Sequence, residues 1–250
     1  MDKLTLIGLL LAFGSLVAGQ WLSGGSLLIL FNVHAFIIVV GGTLGAVMIQ
    51  SSWHHFIAAW QHLGWVFKPP KYEFALSARQ LRQWGTQVRQ QGFLSLEDAY
   101  GDEVDDFCRR GLGLLIDGIE PAMMQELLEQ QMDLEQEQLE SQARIFESMG
   151  GYSPTIGILG AVLGLIQAMA YLATPEQLGN GIAVAFVSTI YGVGFANFVY
   201  LPIANKLRQI NSQQMVYQEM VLSGLIAIAQ GESSLSLERR LSSFSSGFRL

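Results

Sequence analysis

The side chains in this sequence that could do chemistry deep inside apolar segments are hydroxyls, not acids. Val187-Ser188-Thr189-Ile190-Tyr191-Gly192 carries three of them, with Asn197 shortly after. A hydroxyl in an apolar helix bonds back to its own backbone or offers its oxygen to a passing ion. Composition leaves both roles open for Ser188 and Thr189. The preceding apolar segment supplies Gly157, Gly160, Ala161 and Gly164, small residues that permit close helix approach. Gly192 and Gly194 suit the same role. Pro154 and Pro202 lie near segment ends, lack an N–H, and mark either span boundaries or hinges.

Ionisable groups are almost missing from these segments. His34 is the one titratable histidine in them, and none holds an Asp or Glu. The chain alone therefore has no carboxylate proton carrier at membrane depth, and an ion path through it needs an acid from a partner. Asn32 and His34 read as snorkelling or loop-bonded groups. His54, His55 and His62 lack a carboxylate neighbour, and adjacent histidines point to different helix faces, so no metal site is expected. Cys108 stands alone and cannot pair within the chain. No nucleophile–base–acid set or phosphate loop occurs, so an enzyme is not expected and no cofactor is implied.

The elements that must position these residues follow from where the charges lie. Of 250 residues, 14 are basic and 21 acidic, for a net charge of −7. None of the charged residues falls between Leu4 and Phe67, and only Glu176 falls between Glu147 and Lys206. A soluble surface does not tolerate 64 uncharged residues in a row. Four apolar segments are long enough to cross a bilayer: Leu4–Leu22, Leu27–Ile49, Pro154–Leu172 and Ile182–Ile203. The first is too long for the apolar core of a cleaved leader and reads as a span. Short loops, Ser23–Ser26 and Ala173–Gly181, close two hairpins. All 14 basic residues lie outside those loops, which puts both termini and the polar insert in the cytoplasm. The acidic balance argues against nucleic acid as a partner.

The polar parts read as helices. Trp53, Phe56, Trp60, Trp65 and Phe67 suggest an interfacial helix against membrane lipids, ended by Lys68-Pro69-Pro70-Lys71. A helix carrying Phe74, Leu81 and Trp84 turns at Gln91-Gly92. Another runs from about Glu103 to Ile116. A long one starts at Pro121 and breaks at Gly150-Gly151. The fourth span continues through Asn205–Ala229, and the Ser-rich tail from Ser233 reads as loosely ordered. The expected fold is all-α: a polytopic membrane protein with four transmembrane helices and a helical cytoplasmic domain. Its regions are a first hairpin (1–50), an interfacial and cytoplasmic region (51–150), a second hairpin (151–203) and a C-terminal helix with tail (204–250).

Several stretches resemble the MotA/PomA family of flagellar stator subunits, most of all its MotC branch. Ser153-Pro154-Thr155-Ile156-Gly157-Ile158-Leu159-Gly160-Ala161-Val162-Leu163-Gly164 resembles the family's third span. Val187–Gly192 and Leu201-Pro202-Ile203-Ala204-Asn205-Lys206-Leu207 resemble its fourth. Val39-Val40-Gly41-Gly42-Thr43 resembles its second, and Arg89-Gln90-Gln91-Gly92-Phe93-Leu94-Ser95-Leu96-Glu97 its charged cytoplasmic loop.

The resemblance implies an inner-membrane, torque-generating channel subunit. A homopentamer would surround two copies of a MotB-type, single-span, peptidoglycan-binding partner, whose spanning Asp carries the ion. The cytoplasmic loop would push on the rotor through FliG. By the same resemblance Thr189, with Ser188 beside it, and Ala161 lie on the ion path. Pro154 and Pro202 serve conformational coupling, and Arg89 and Glu97 meet the rotor. At Ala161 sodium-driven members carry Thr, and Asn32 replaces an Asp seen in some of them, which implies protons as the driving ion. The related ExbB/TolQ class is the nearest alternative, but it has three spans and a different loop order.

Overall fold

The computed structural model describes residues 3–22, 24, 30–103, 105–171 and 175–246. The described residues form helices and turns, with no strand. In chain order the helices are α1 (Lys3–Leu22), α2 (Val33–Phe36), α3 (Gly42–Gln50), α4 (Trp53–Gln61), α5 (Leu63–Phe67) and α6 (Phe74–Gln91). There follow α7 (Glu97–Asp102), α8 (Asp106–Ile116), α9 (Pro121–Ala170), α10 (Pro175–Phe195), α11 (Leu201–Ala229) and α12 (Ser234–Ser246). One turn of π-helix, Ile37–Gly41, joins α2 to α3, and another, Ala196–Tyr200, joins α10 to α11. Four helical stretches are long and apolar enough to span a membrane: Leu4–Leu22, Val33–Gln50 and parts of Pro121–Ala170 and Leu178–Ala229.

The chain divides into two compact units. The membrane unit comprises Met1–Pro69 and Gln138–Gln209. Its core gathers Val47, Ala59, Phe146, Met149, Tyr200 and Ala204. The interfacial segment joins that core: Trp60 meets Phe146 edge-on, with ring centroids 5.7 Å apart. His62 splits this segment, expected as one helix, into α4 and α5.

The second unit comprises Pro70–Glu137 and Ile210–Leu250. Its core is built on Leu81, Leu96, Leu112, Leu128, Met220 and Leu225, each fully buried. The expected turn at Gln91-Gly92 is there, with Gly92 at φ 82°. A positive φ of this kind costs a glycine nothing. Pro121 occupies the first residue of α9, where a missing N–H does no harm. Asp105 caps α8, accepting from the Cys108 N–H at 2.7 Å, so this helix starts two to three residues later than expected.

Four sequence expectations need correction. The break at Gly150-Gly151 is absent, because α9 is continuous from Pro121 to Ala170 with Pro154 inside it. Two glycines cost about 1 kcal/mol each relative to Ala in a helix, and tertiary packing outweighs that: a Cβ on Gly150 would lie 2.6 Å from Leu201 Cδ2. From Ser234 to Ser246 the tail is helix α12, not a loose segment, and residues 247–250 lie outside the described residues. Leu237 and Leu241, one turn apart, are each 2 % exposed in the core of the second unit. The second span is not one continuous helix through residues 30–32 as expected: its helix begins at Val33, where the Asn32 side chain accepts from the Ala35 N–H at 3.1 Å and caps it, and the expected start at Leu27 lies outside the described residues. Residues 25–29, and with them most of the Ser23–Ser26 loop, lie outside the described residues. In the other short loop the chain is helical from Pro175, and residues 172–174 lie outside the described residues.

Candidate ion path and rotor-facing loop

Small residues bring α9 and α10 into backbone contact. A Cβ on Gly164 would lie 2.6 Å from the Ala185 nitrogen and 2.7 Å from the Gly181 oxygen. One on Gly160 would lie 2.7 Å from Ser188 Cβ, and one on Gly157 would lie 2.9 Å from the Ser188 oxygen and 3.1 Å from Gly192 Cα. Residue numbers rise on one helix as they fall on the other, so the two run antiparallel. Gly194, expected to take part, does not: a Cβ there would meet nothing within 4 Å.

This crossing decides where the hydroxyls go. Ser188 is completely buried against Gly160, and its Oγ makes no hydrogen bond among the described residues. Ala161 and Thr189 each follow a contact residue by one position, which is about 100° around the helix. In an antiparallel pair that step turns both residues to the same flank. Ala161 and Thr189 therefore lie at one level on one side of the α9–α10 seam, and both are half-buried. Thr189 Oγ1 donates to the Ala185 carbonyl at 3.3 Å, a long bond that leaves its lone pairs available.

The opposite flank is filled by this chain. Val187 is buried there. The Tyr191 hydroxyl donates to the Leu30 carbonyl at 2.5 Å and accepts from the Asn32 N–H at 3.3 Å. Tyr191 also packs edge-on against Phe36, with centroids 6.3 Å apart. Sequence reading noted Tyr191 as one more polar group in the span, with no partner assigned. Its two bonds run to residues about 160 positions away, a separation that hydropathy patterns do not encode.

The prolines sit differently in their helices. Pro154 lies in the interior of α9, where it cannot donate to the Gly150 carbonyl one turn earlier. Pro202 is the second residue of α11, directly after the π-helical turn Ala196–Tyr200. A π turn is one way a helix absorbs a missing or displaced bond. One turn before Pro154, Gly150 packs against Leu201, the residue before Pro202. On the same helices, Arg208 bonds both Glu140 and Glu147, all within the membrane unit. Its guanidinium holds the Glu147 carboxyl below the usual carboxylate range. Sequence reading did not single out this cluster, although the seven-residue spacing of the two glutamates puts them on one helix face.

In the second unit, Arg89 and Glu97 are both exposed, at the end of α6 and the start of α7. No described ion pair joins them. Arg89 donates from Nε to the Gly85 carbonyl at 3.2 Å and from Nη2 to Ser234 Oγ, so α12 helps hold it. Glu97 lies in the first turn of α7. Gln87 Nε2 bridges the connection, donating to the Ser95 carbonyl at 2.5 Å. Nearby chemistry is muted: burial pushes the Cys108 thiol above its ordinary range and Tyr217 up to about 12. Among the described residues no three His, Cys, Asp or Glu side chains converge as a metal site would require.

The fold is shared with known proteins. Residues 6–84 match the family model described as Motility protein A N-terminal, and residues 101–220 match that of the MotA/TolQ/ExbB proton channel family. Motility protein A of Bacillus subtilis is 31% identical over 245 residues, covering 96% of this chain and 90% of that protein. Motility protein A of Helicobacter pylori is 32% identical over 241 residues, covering 96% and 94%. In the solved structure of C. jejuni MotAB, the matching chain superposes with a TM-score of 0.92 at 28% identity, covering 98% of this chain and 96% of that one. With relatives this similar over nearly their whole length, and four apolar helices arranged as in a solved stator, the chain belongs to the motility protein A family.

Proposed function

We propose that this chain is the membrane subunit of a flagellar stator, which forms a proton channel with a MotB-type partner and converts proton flow into torque. One observation carries the reading. Beside the half-buried Ala161 and Thr189, their neighbours one turn away on the same flank of the α9–α10 seam, Ile158, Leu165, Phe186 and Val193, are exposed, and no Asp or Glu lies in the apolar part of any span. An exposed apolar flank with one hydroxyl and no acid fits a partner helix that brings the acid. In that arrangement the partner's carboxylate takes up a proton beside Thr189. Its neutralisation removes the cost of a charge in a low-dielectric site and changes which helix contacts are favourable. Loss of the proton to the cytoplasm restores the charge. A potential of about 100 mV supplies roughly 2.3 kcal/mol per charge, so each turn of the assembly consumes several protons.

The finer reading follows from the same family. The membrane is the bacterial inner membrane, with both termini cytoplasmic, as the basic residues direct. Five copies surround the partner pair, and Arg89 and Glu97 engage FliG on the rotor. Pro154 and Pro202 let α9 and α11 carry the change at the channel toward the loop. Ala161 supplies no hydroxyl to replace a sodium ion's hydration, which favours protons. Four candidate spans and the N-terminal family match separate this chain from the three-span ExbB/TolQ class.

The test is co-expression of the chain with its MotB-type partner in a non-motile strain lacking its own stator. Swimming should return and should be lost with Thr189→Ala. The purified chain alone, in liposomes, should pass protons no faster than empty vesicles. Brisk conduction without the partner overturns the proposal.

A further inference from the structure

Away from the Ala161–Thr189 flank, the membrane unit contains a cavity of about 540 Å³. Its walls are the first half of α1, the end of α5 at Val66 and Phe67, and the chain from Asn197 to Gln209. Most of its length is apolar, with Leu9, Ala12, Phe198, Val199 and Ile203 facing it. Among its polar lining residues, Asn205, Lys206 and Gln209 lie close together on α11, with Thr5 near the start of α1, whereas Asn197, two turns earlier, spends its amide on the Val193 carbonyl at 2.9 Å. Lys206 Nζ lies 3.5 Å from Gln209 Oε1. From Thr5 to Ala12 the slot runs along roughly 10 Å of helix, enough for the headgroup-proximal part of one acyl chain.

An apolar slot at membrane depth is a poor place for water, which needs several polar partners. Hydrocarbon restores the dispersion contacts that an empty slot forfeits. An ammonium at its mouth adds charge selectivity, since a lysine at the membrane surface attracts anionic headgroups. We propose that the cavity binds one anionic phospholipid per chain, with the phosphate at Lys206 and one acyl chain between α1 and the Phe198–Ile203 wall. The amides of Asn205 and Gln209 are further donors to the phosphate. The same wall contains Pro202 and part of the π-helical turn, so the bound chain braces the segment where α11 departs from regular geometry. This goes beyond the stator reading and does not depend on it.

Native mass spectrometry of the full-length chain in mild detergent tests the site, with phosphatidylglycerol and phosphatidylethanolamine of identical acyl chains as probes. The wild type should retain phosphatidylglycerol at least fivefold better than phosphatidylethanolamine, at one per chain. Lys206→Gln should lower phosphatidylglycerol to the phosphatidylethanolamine level. Gly8 lines the slot, and a Cβ there meets nothing within 4 Å, so Gly8→Leu should fill the space and lower retention of both. Leu10→Phe, on the same helix but outside the cavity, should change neither and controls for folding. Equal phosphatidylglycerol retention by wild type and Lys206→Gln, or undiminished lipid in Gly8→Leu, overturns the proposal. So does disulfide formation between copies carrying Gly8→Cys, which would make a second chain the occupant.

Discussion

Arg208 on α11 holds Glu147 on α9 by two parallel hydrogen bonds, Nη1 to Oε1 at 3.0 Å and Nη2 to Oε2 at 2.5 Å. Its Nε donates to Glu140 Oε1 at 3.0 Å as well. The clasp lies six residues past Pro202 and seven before Pro154, so it ties the two helices together where each leaves its proline.

Breaking that clasp should have a pH-dependent cost. The forked geometry is favourable, but Arg208 and Glu147 side chains are 33% and 48% exposed, so solvent screening limits the pair to about 1 kcal/mol. Glu147 has its folded-state pKa lowered, chiefly by the bond from Arg208. Its contribution is therefore present above the unfolded value of about 4.3 and fades as pH falls through the lower folded value. Glu147→Gln should lower the thermal midpoint at pH 7. The gap between wild type and variant should narrow as pH falls below the unfolded value of about 4.3. A gap of unchanged size at pH 3.5 would show that charge is not the cause.

The glycine seam between α9 and α10 should tolerate no added side chain. Because backbone atoms stand 2.6–2.7 Å from a Cβ on Gly164, relief requires the helices to separate. Overpacking of this kind costs about 1–3 kcal/mol. Gly164→Val should lower the melting temperature in detergent by several degrees, whereas Gly194→Ala, where nothing stands within 4 Å, should be neutral or slightly stabilising.

The spans, the seam and the polar insert were legible in the sequence because each leaves a local trace. Apolar run length gives Leu4–Leu22, small residues at spacings of three and four give Gly157, Gly160 and Gly164, and Pro121 and Gly92 punctuate the insert. What stayed hidden depends on contacts distant in sequence. Gly150-Gly151 reads as a breaker until Leu201 is packed against it. Asn32 ends a long apolar run only because its side chain caps the next turn. The flank shared by Ala161 and Thr189 follows from the spacing only once Gly160 is known to face Ser188. Composition hid α12: its serines suggested looseness, while Leu237, Leu241 and Phe244 already formed one apolar stripe.

That stripe gives a stability prediction. Leu237 and Leu241 are each 2 % exposed, and truncating a buried leucine costs about 2–5 kcal/mol. Leu237→Ala should destabilise the second unit by an amount in that range. Chemical denaturation followed by Trp84 fluorescence reads this directly. A midpoint unchanged by Leu237→Ala would mean that α12 does not dock.

The ion-path residues make the sharpest test of the functional reading. Thr189 and Ala161 share one flank, so hydroxyls added or removed there should act on the same ion. Thr189→Ala removes the oxygen and should reduce rotation at least tenfold, while Thr189→Ser keeps it and should retain most of the speed. Ala161→Thr adds a hydroxyl beside it, yet a proton needs no extra ligand, so rotation should persist in sodium-free medium at constant proton-motive force. Tethered-cell rotation measured with and without sodium separates the outcomes. A wild-type motor that stops when sodium is withdrawn would overturn the assignment to protons. Full speed in Thr189→Ala would remove this flank from the path altogether.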